Sequence, residues 1–227
     1  MGIGQGLLPD YVSIERKSVK HLRLAINRDG SVRLVLPQRV SLKAGLAFYQ
    51  EREHWVASKR RQLHKQKSQA EQLIGLGSVL LNGEIYQVSF NADSDGVDHQ
   101  QLQLQVRGPE SQLAQMRVWR NVAAAELRTR LQQEAERLQV RVNKVSIRDQ
   151  KSRWGSCSAR GNISLNWRVA LMPPWVGSYI IAHEFAHLRH LDHSPAFWRE
   201  VGRLCPNYRR AERWLKTQGA VLMLLAR

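Results

Sequence analysis

Between Pro174 and Leu188 the chain carries a segment at helical spacing that is otherwise apolar (Val176, Ile180, Ile181, Phe185, Ala186, Leu188) but is interrupted by His183, Glu184 and His187. Three ionisable side chains on a helix fit for a core are costly to bury unless a ligand or partner satisfies them. Any fold for this chain has to supply that partner. At 3.6 residues per turn the two histidines stand about 40° apart on one face, a turn apart along the axis, so both rings reach one ion. Glu184 projects beside that ion, where a general base takes a proton from a metal-bound water.

A catalytic zinc needs a third protein ligand and an open position. His193 lies six residues beyond His187 and would point away from it on an unbroken helix. However, Asp192-His193-Ser194-Pro195 reads as a turn, with Ser194 as the N-cap of a following helix and proline at its first position. The chain can fold back there and bring His193 to the metal. His190, Glu200 and Glu212 compete for the same role, and the turn favours His193. The expected cofactor is one Zn2+ ion, although histidine-rich sites also accept cobalt, nickel or manganese.

Around this helix the hydrophobic pattern changes along the chain. Leu22, Leu24 and Ile26 alternate with polar residues, Asp29-Gly30 makes a turn, and Val32, Leu34 and Leu36 alternate again, which predicts a hairpin ended by Pro37. Ser41 caps a basic helical stretch to about Leu73, with Phe48, Trp55, Val56 and Leu63 as its inner face. Asn82-Gly83 turns between Val79-Leu80-Leu81 and a strand over 85–90; 93–99 reads as a loop, and Leu102, Leu104 and Val106 as a strand. After Gly108-Pro109, the positions Met116, Trp119, Val122, Ala123, Leu127, Leu131 and Leu138 recur at helical spacing. A strand over 145–147, a Gly- and Ser-rich turn over 152–161 and a strand through Ile163, Leu165 and Trp167 precede Pro173-Pro174. The expected class is α+β. An antiparallel β-rich N-terminal region with a basic helical stretch would occupy 1–110, and the metallohydrolase core 111–227.

Lys and Arg number 35 against 19 Asp and Glu, a net charge of +16 that favours anionic partners. The basic residues are scattered, with clusters only at Lys59-Arg60-Arg61 and Arg209-Arg210, and no helix-turn-helix or RNA-binding aromatic motif accompanies them. Charge alone therefore supports no more than weak nucleic-acid association. Cys157 and Cys205 form no C-x-x-C pair, residues 1–10 lack a secretory pattern, and no apolar run approaches the ~20 residues of a membrane span. A cytoplasmic protein is expected.

The stretches 148–158 (RDQKSRWGSCS), 161–168 (GNISLNWR) and 183–198 (HEFAHLRHLDHSPAFW) resemble the YgjP-like family of zinc metallohydrolases. The resemblance is specific over 140–217 and looser towards the N-terminal hairpin. It implies a zincin-like core, zinc on His183, His187 and His193, and Glu184 as catalytic acid/base. Members are classed with metallopeptidases, and the family has also been linked to hydrolysis of nucleoside triphosphates, notably UTP. The six-residue step to the third histidine is similar to that of metzincins, but 189–192 lacks their glycine.

Arg153, Trp154, Ser156, Asn162 and Arg168 lie on the glycine-containing turn and the strand after it, and are candidates for holding substrate. Cys157 reads as a structural thiol, and Tyr208 as a packing residue with an oxyanion role as its alternative. The proposed chemistry serves an amide and a phosphoanhydride equally. A metallopeptidase is the leading expectation, beside a nucleoside triphosphate phosphohydrolase and a nucleic-acid-binding module with structural zinc.

Overall fold

The computed structural model describes residues 8–27 and 29–225; residues 1–7, over which no leader pattern is read, and 226–227 lie outside it. The chain divides into two compact units, residues 1–68 and 69–227. In the first, strands β1 (Val12–Lys17), β2 (Arg23–Ile26) and β3 (Val32–Pro37) form a sheet in the order β1-β3-β2. The predicted hairpin is β2–β3, antiparallel with Arg23 opposite Val35. β1 was not foreseen: it joins β3 in parallel, and its alternation is weak because an edge strand buries little. Val32, Leu34 and Leu36 pack with Tyr49 and Val56 of α1 (Leu42–Leu73), whose cap is Ser41. Tyr49 takes the inward place that the sequence suggests for Trp55, which is 46% exposed.

The second unit begins with a four-stranded sheet, order β4-β5-β7-β6, made of β4 (Ser78–Leu81), β5 (Glu84–Ala92), β6 (Gly96–Asp98) and β7 (Gln103–Arg107). The segment expected as a loop over 93–99 thus contains a short strand, formed because β7 offers it an edge. Asn82 and Gly83 both adopt positive φ, 55° and 84°, as a two-residue hairpin turn requires. Their N–H groups donate to the carbonyls of Ala170 and Leu171, at 2.8 and 3.0 Å. α2 (Gln112–Arg137), capped by Ser111, lays Val118, Trp119, Ala123, Leu127 and Leu131 into the core, and Trp119 Nε1 donates to the Leu80 carbonyl at 2.7 Å.

A third sheet, order β8-β10-β9, comprises β8 (Lys144–Arg148), β9 (Gly155–Cys157) and β10 (Asn162–Asn166). β9 falls within the segment read from sequence as a turn, and Trp167 opens a 3-10 helix (Trp167–Leu171) instead of prolonging β10. Then follow α3 (Pro174–Ala186), α4 (Pro195–Leu204), α5 (Tyr208–Trp214), a π-helical turn (Leu215–Gly219) and α6 (Ala220–Leu224). The class is α+β, as expected. Among the described residues no helix is long and apolar enough to cross a membrane. The sheet over 78–107 shares one hydrophobic core with α2 and α3, so the cores separate after residue 68, whereas the sequence reading places a division at 110.

α3 lies at the centre of this core. Val176, Ile180, Ile181 and Phe185 are all buried, each stabilising the fold by roughly 1.5–3 kcal/mol through removal from water. Arg168 is fully buried too. Its Nε donates to the Leu225 carbonyl at 2.9 Å, its Nη1 pairs with Asp149, and its backbone N–H donates to Asn166 Oδ1 at 3.1 Å. Arg168→Met is expected to lower unfolding stability by about 2–3 kcal/mol, below the usual cost for a fully buried pair because Asp149 is half exposed and water can solvate it. Urea denaturation measures this; an unchanged midpoint would show that the buried guanidinium is replaceable by apolar volume.

Candidate metal centre

α3 carries His183 and Glu184 in its last turn and ends at His187, which caps it in helical conformation. The chain then turns through 188–194. Ser194 accepts from the Phe197 N–H at 3.4 Å and donates its own N–H to Asp192 Oδ1 at 3.3 Å, which starts α4 and returns His193 towards α3. The result is a triangle of imidazoles: one nitrogen from each of His183, His187 and His193 lies within 4.8 Å of the others. His193 Nε2 and His183 Nε2 are 3.4 Å apart.

Phe197, fully buried, forms the base of the triangle. Its ring stacks on His187 at 4.5 Å and meets His183 and His193 at 4.9 and 4.8 Å. Trp198 flanks His183 and His193, and Tyr208 stacks on Trp198 at 5.7 Å. His187 Nδ1 is 2.9 Å from the His190 carbonyl, a contact in which Nδ1 must carry the proton, leaving the Nε2 lone pair for an ion. His190 thus acts through its backbone. Glu200 is occupied by Arg203 and Arg189.

A divalent cation fits this donor set. Burial, then the neighbouring His187 and His193, lower the His183 pKa to about 4, and burial lowers that of His187, so both rings are neutral near pH 7 as ligands must be. Two buried atoms here, His183 Nδ1 and Glu184 Oε2, have no hydrogen-bond partner among the described residues. Glu184 is 5% exposed. Burial pushes its carboxyl up to about 7 against the pull of Arg153, and a cation on the histidines would draw it down again.

Gly155 of β9 faces this carboxylate. A Cβ there would stand 2.8 Å from Glu184 Cγ, 2.7 Å from Cδ and closer still to Oε1, so only glycine lets strand and carboxylate approach this closely. Asn166, fully buried, donates through Nδ2 to the carbonyls of Gln150 and Arg153, at 2.8 and 3.2 Å, and so fixes the loop before β9.

The other sequence candidates separate. Arg153, Ser156 and Asn162 border a common cavity on the sheet β8-β10-β9. Trp154 packs partly buried against the core, near Gly219. Arg168 lies inside the core, because two acceptors from distant parts of the chain, Asp149 and the Leu225 carbonyl, join nearby Asn166 around it. Cys157 and Cys205 are free thiols outside the histidine triangle, their pKa values raised by burial. Gly155, Asn166 and Phe197 are the residues that sequence reasoning missed as parts of the site. Phe197 had a signal: it stands four residues after His193, just past the cap.

The model of the family described as "YgjP-like, metallopeptidase domain" matches residues 20–218. No curated protein matches the chain. Among solved structures, the crystal structure of the metallopeptidase zymogen of Pyrococcus abyssi abylysin is similar at 29% identity, covering 41% of this chain and 95% of that chain, with a TM-score of 0.36.

Proposed function

This chain belongs to the YgjP-like metallopeptidase family, and on that premise we propose that it is a zinc-dependent peptidase whose ion is held by His183, His187 and His193 and whose proton carrier is Glu184. The observation that carries the reading is the triangle of imidazole nitrogens, all within 4.8 Å, beside a buried carboxylate with one oxygen that has no partner among the described residues. Zinc held there supplies a Lewis acid that acidifies water and polarises a carbonyl. Glu184 takes the proton of the water that attacks the peptide carbonyl carbon. It then delivers that proton to the amide nitrogen as the C–N bond breaks, leaving a carboxylate and an amine. Phe197 keeps the underside of the triangle dry, and the bond to the His190 carbonyl holds His187 in the tautomer a ligand needs. β9 is an edge strand, paired with β10 on one side, and its other edge suits main-chain pairing with an extended peptide. Free Cys157 and Cys205 suit a reducing compartment, the cytoplasm.

The test is peptide cleavage by the zinc-loaded protein, followed with a mixture of fluorogenic peptides. Stripping with a chelator is expected to abolish turnover, and one equivalent of zinc to restore it. His187→Ala is expected to weaken zinc binding by roughly a hundredfold or more, read by metal competition. Phosphate release from nucleoside triphosphates without any peptide cleavage would replace this reading with a phosphohydrolase.

A further inference from the structure

The sheet β8-β10-β9 has two unlike faces. Val145, Ile147, Ile163 and Leu165 face inwards on the same side as Gly155 and Cys157, since Gly155 pairs with Leu165 and Cys157 with Ile163. On the other face Lys144 pairs with Asn162, while Ser146 and Ser156 both pair with Ser164. This second face borders a cavity of about 600 Å³. Four cations line it, Lys144, Arg148, Lys151 and Arg153, together with five serines and no Asp or Glu. Asp149, the carboxylate next to Arg148 in sequence, is directed to Arg168 and Arg120 instead. A concave surface lined by one sign of charge concentrates the opposite sign in its opening, and serine hydroxyls add donors to an oxyanion.

The cavity is joined to the catalytic carboxylate through one short strand. Gly155 abuts Glu184, while Ser156, the next residue of β9, points to the outer face and lines the cavity. In an extended peptide successive side chains alternate between faces. A peptide paired along the free edge of β9 therefore directs one set of side chains to the histidine side and the alternate set to the basic face. We infer that this cavity is a specificity subsite for acidic peptides: it selects chains bearing Asp or Glu beside the scissile bond, at positions that point to the outer face of the sheet. This rests on the peptidase reading for its use in catalysis, but the binding chemistry stands on the cavity alone. The lining favours a peptide over a nucleic acid, because it holds no aromatic ring on which a base would stack.

Binding is measured by fluorescence anisotropy on the full chain carrying Glu184→Gln, so that no peptide is consumed. The probes are a labelled decapeptide rich in Glu and its Gln counterpart. The acidic peptide is expected to bind about tenfold or more tightly than the neutral one, with the difference shrinking as salt is raised. In Lys144→Glu/Arg148→Glu that ratio is expected to fall to one or below, and in Lys144→Gln/Arg148→Gln to fall part of the way. Both variants change exposed residues, and circular dichroism checks their folding. Equal binding of the two peptides, or a ratio unchanged in both variants, overturns the proposal. A single-stranded oligonucleotide that outcompetes the acidic peptide and loses its binding in the same variants also overturns it, in favour of nucleic acid. The zinc-loaded chain with intact Glu184 is then given both peptides. Cleavage of neither removes the peptidase reading, while the anisotropy result still decides the cavity.

Discussion

Glu184→Gln is expected to lower peptide turnover by about a hundred- to ten-thousandfold while zinc content stays that of the parent protein. The substitution keeps the size of a side chain that is only 5% exposed, so packing against Gly155 survives. It leaves the three histidines untouched, which separates this residue from the proposed ligands. In the proposed mechanism, what it removes is the ability of Oε2, which has no hydrogen-bond partner among the described residues, to accept a proton and give it back. Turnover by the parent protein, the variant and the chelated protein, with metal content by mass spectrometry, measures the effect. Variant activity within about threefold of the parent would show that the proton travels elsewhere, since a lost general base costs about a hundredfold at least.

Gly155→Ala is expected to cost about a hundredfold or more in turnover, again with zinc retained. The added methyl group meets Cγ and Cδ of Glu184 inside normal van der Waals distance, so something must shift. The strand is held to β10, and the carboxylate lies at the end of a buried helix. Glu184 must therefore swing from its place by about an ångström, the scale of misplacement that costs a hundredfold in rate. Gly75→Ala is the matched control, because a Cβ there meets nothing within 4 Å, and it should leave turnover unchanged. Loss of zinc from Gly155→Ala would instead mean that the strand supports the histidines themselves.

These expectations differ in how far the sequence reveals them. The spacing of His183, Glu184 and His187 places them in one helix without reference to anything else, and the Ser194-Pro195 cap announces the turn that returns His193. Such features are local, and helix geometry makes them readable. The role of Gly155 is defined by a carboxylate on another element, and a glycine among serines looks like any other turn residue. Arg168 misleads for a related reason: an arginine suggests surface or substrate, and only the convergence of Asp149, Asn166 and the Leu225 carbonyl permits its burial. β9 was hidden because three residues with two small side chains give too short an alternation to read. Packing partners that are distant in sequence decide all three.

The turn at Asn82-Gly83 has a consequence for how the second unit holds together. Its two N–H groups end on the carbonyls of Ala170 and Leu171, and Gly83 sits against Pro173, at the threshold of the helix that bears the histidines. The hairpin thus works as a keystone for the mouth of that helix. Withdraw it and two carbonyls are stranded, each at a cost of about 1–3 kcal/mol where water cannot reach them. The sheet over 78–107 is therefore masonry of the second unit, and the histidine triangle inherits its rigidity from a turn that never touches it.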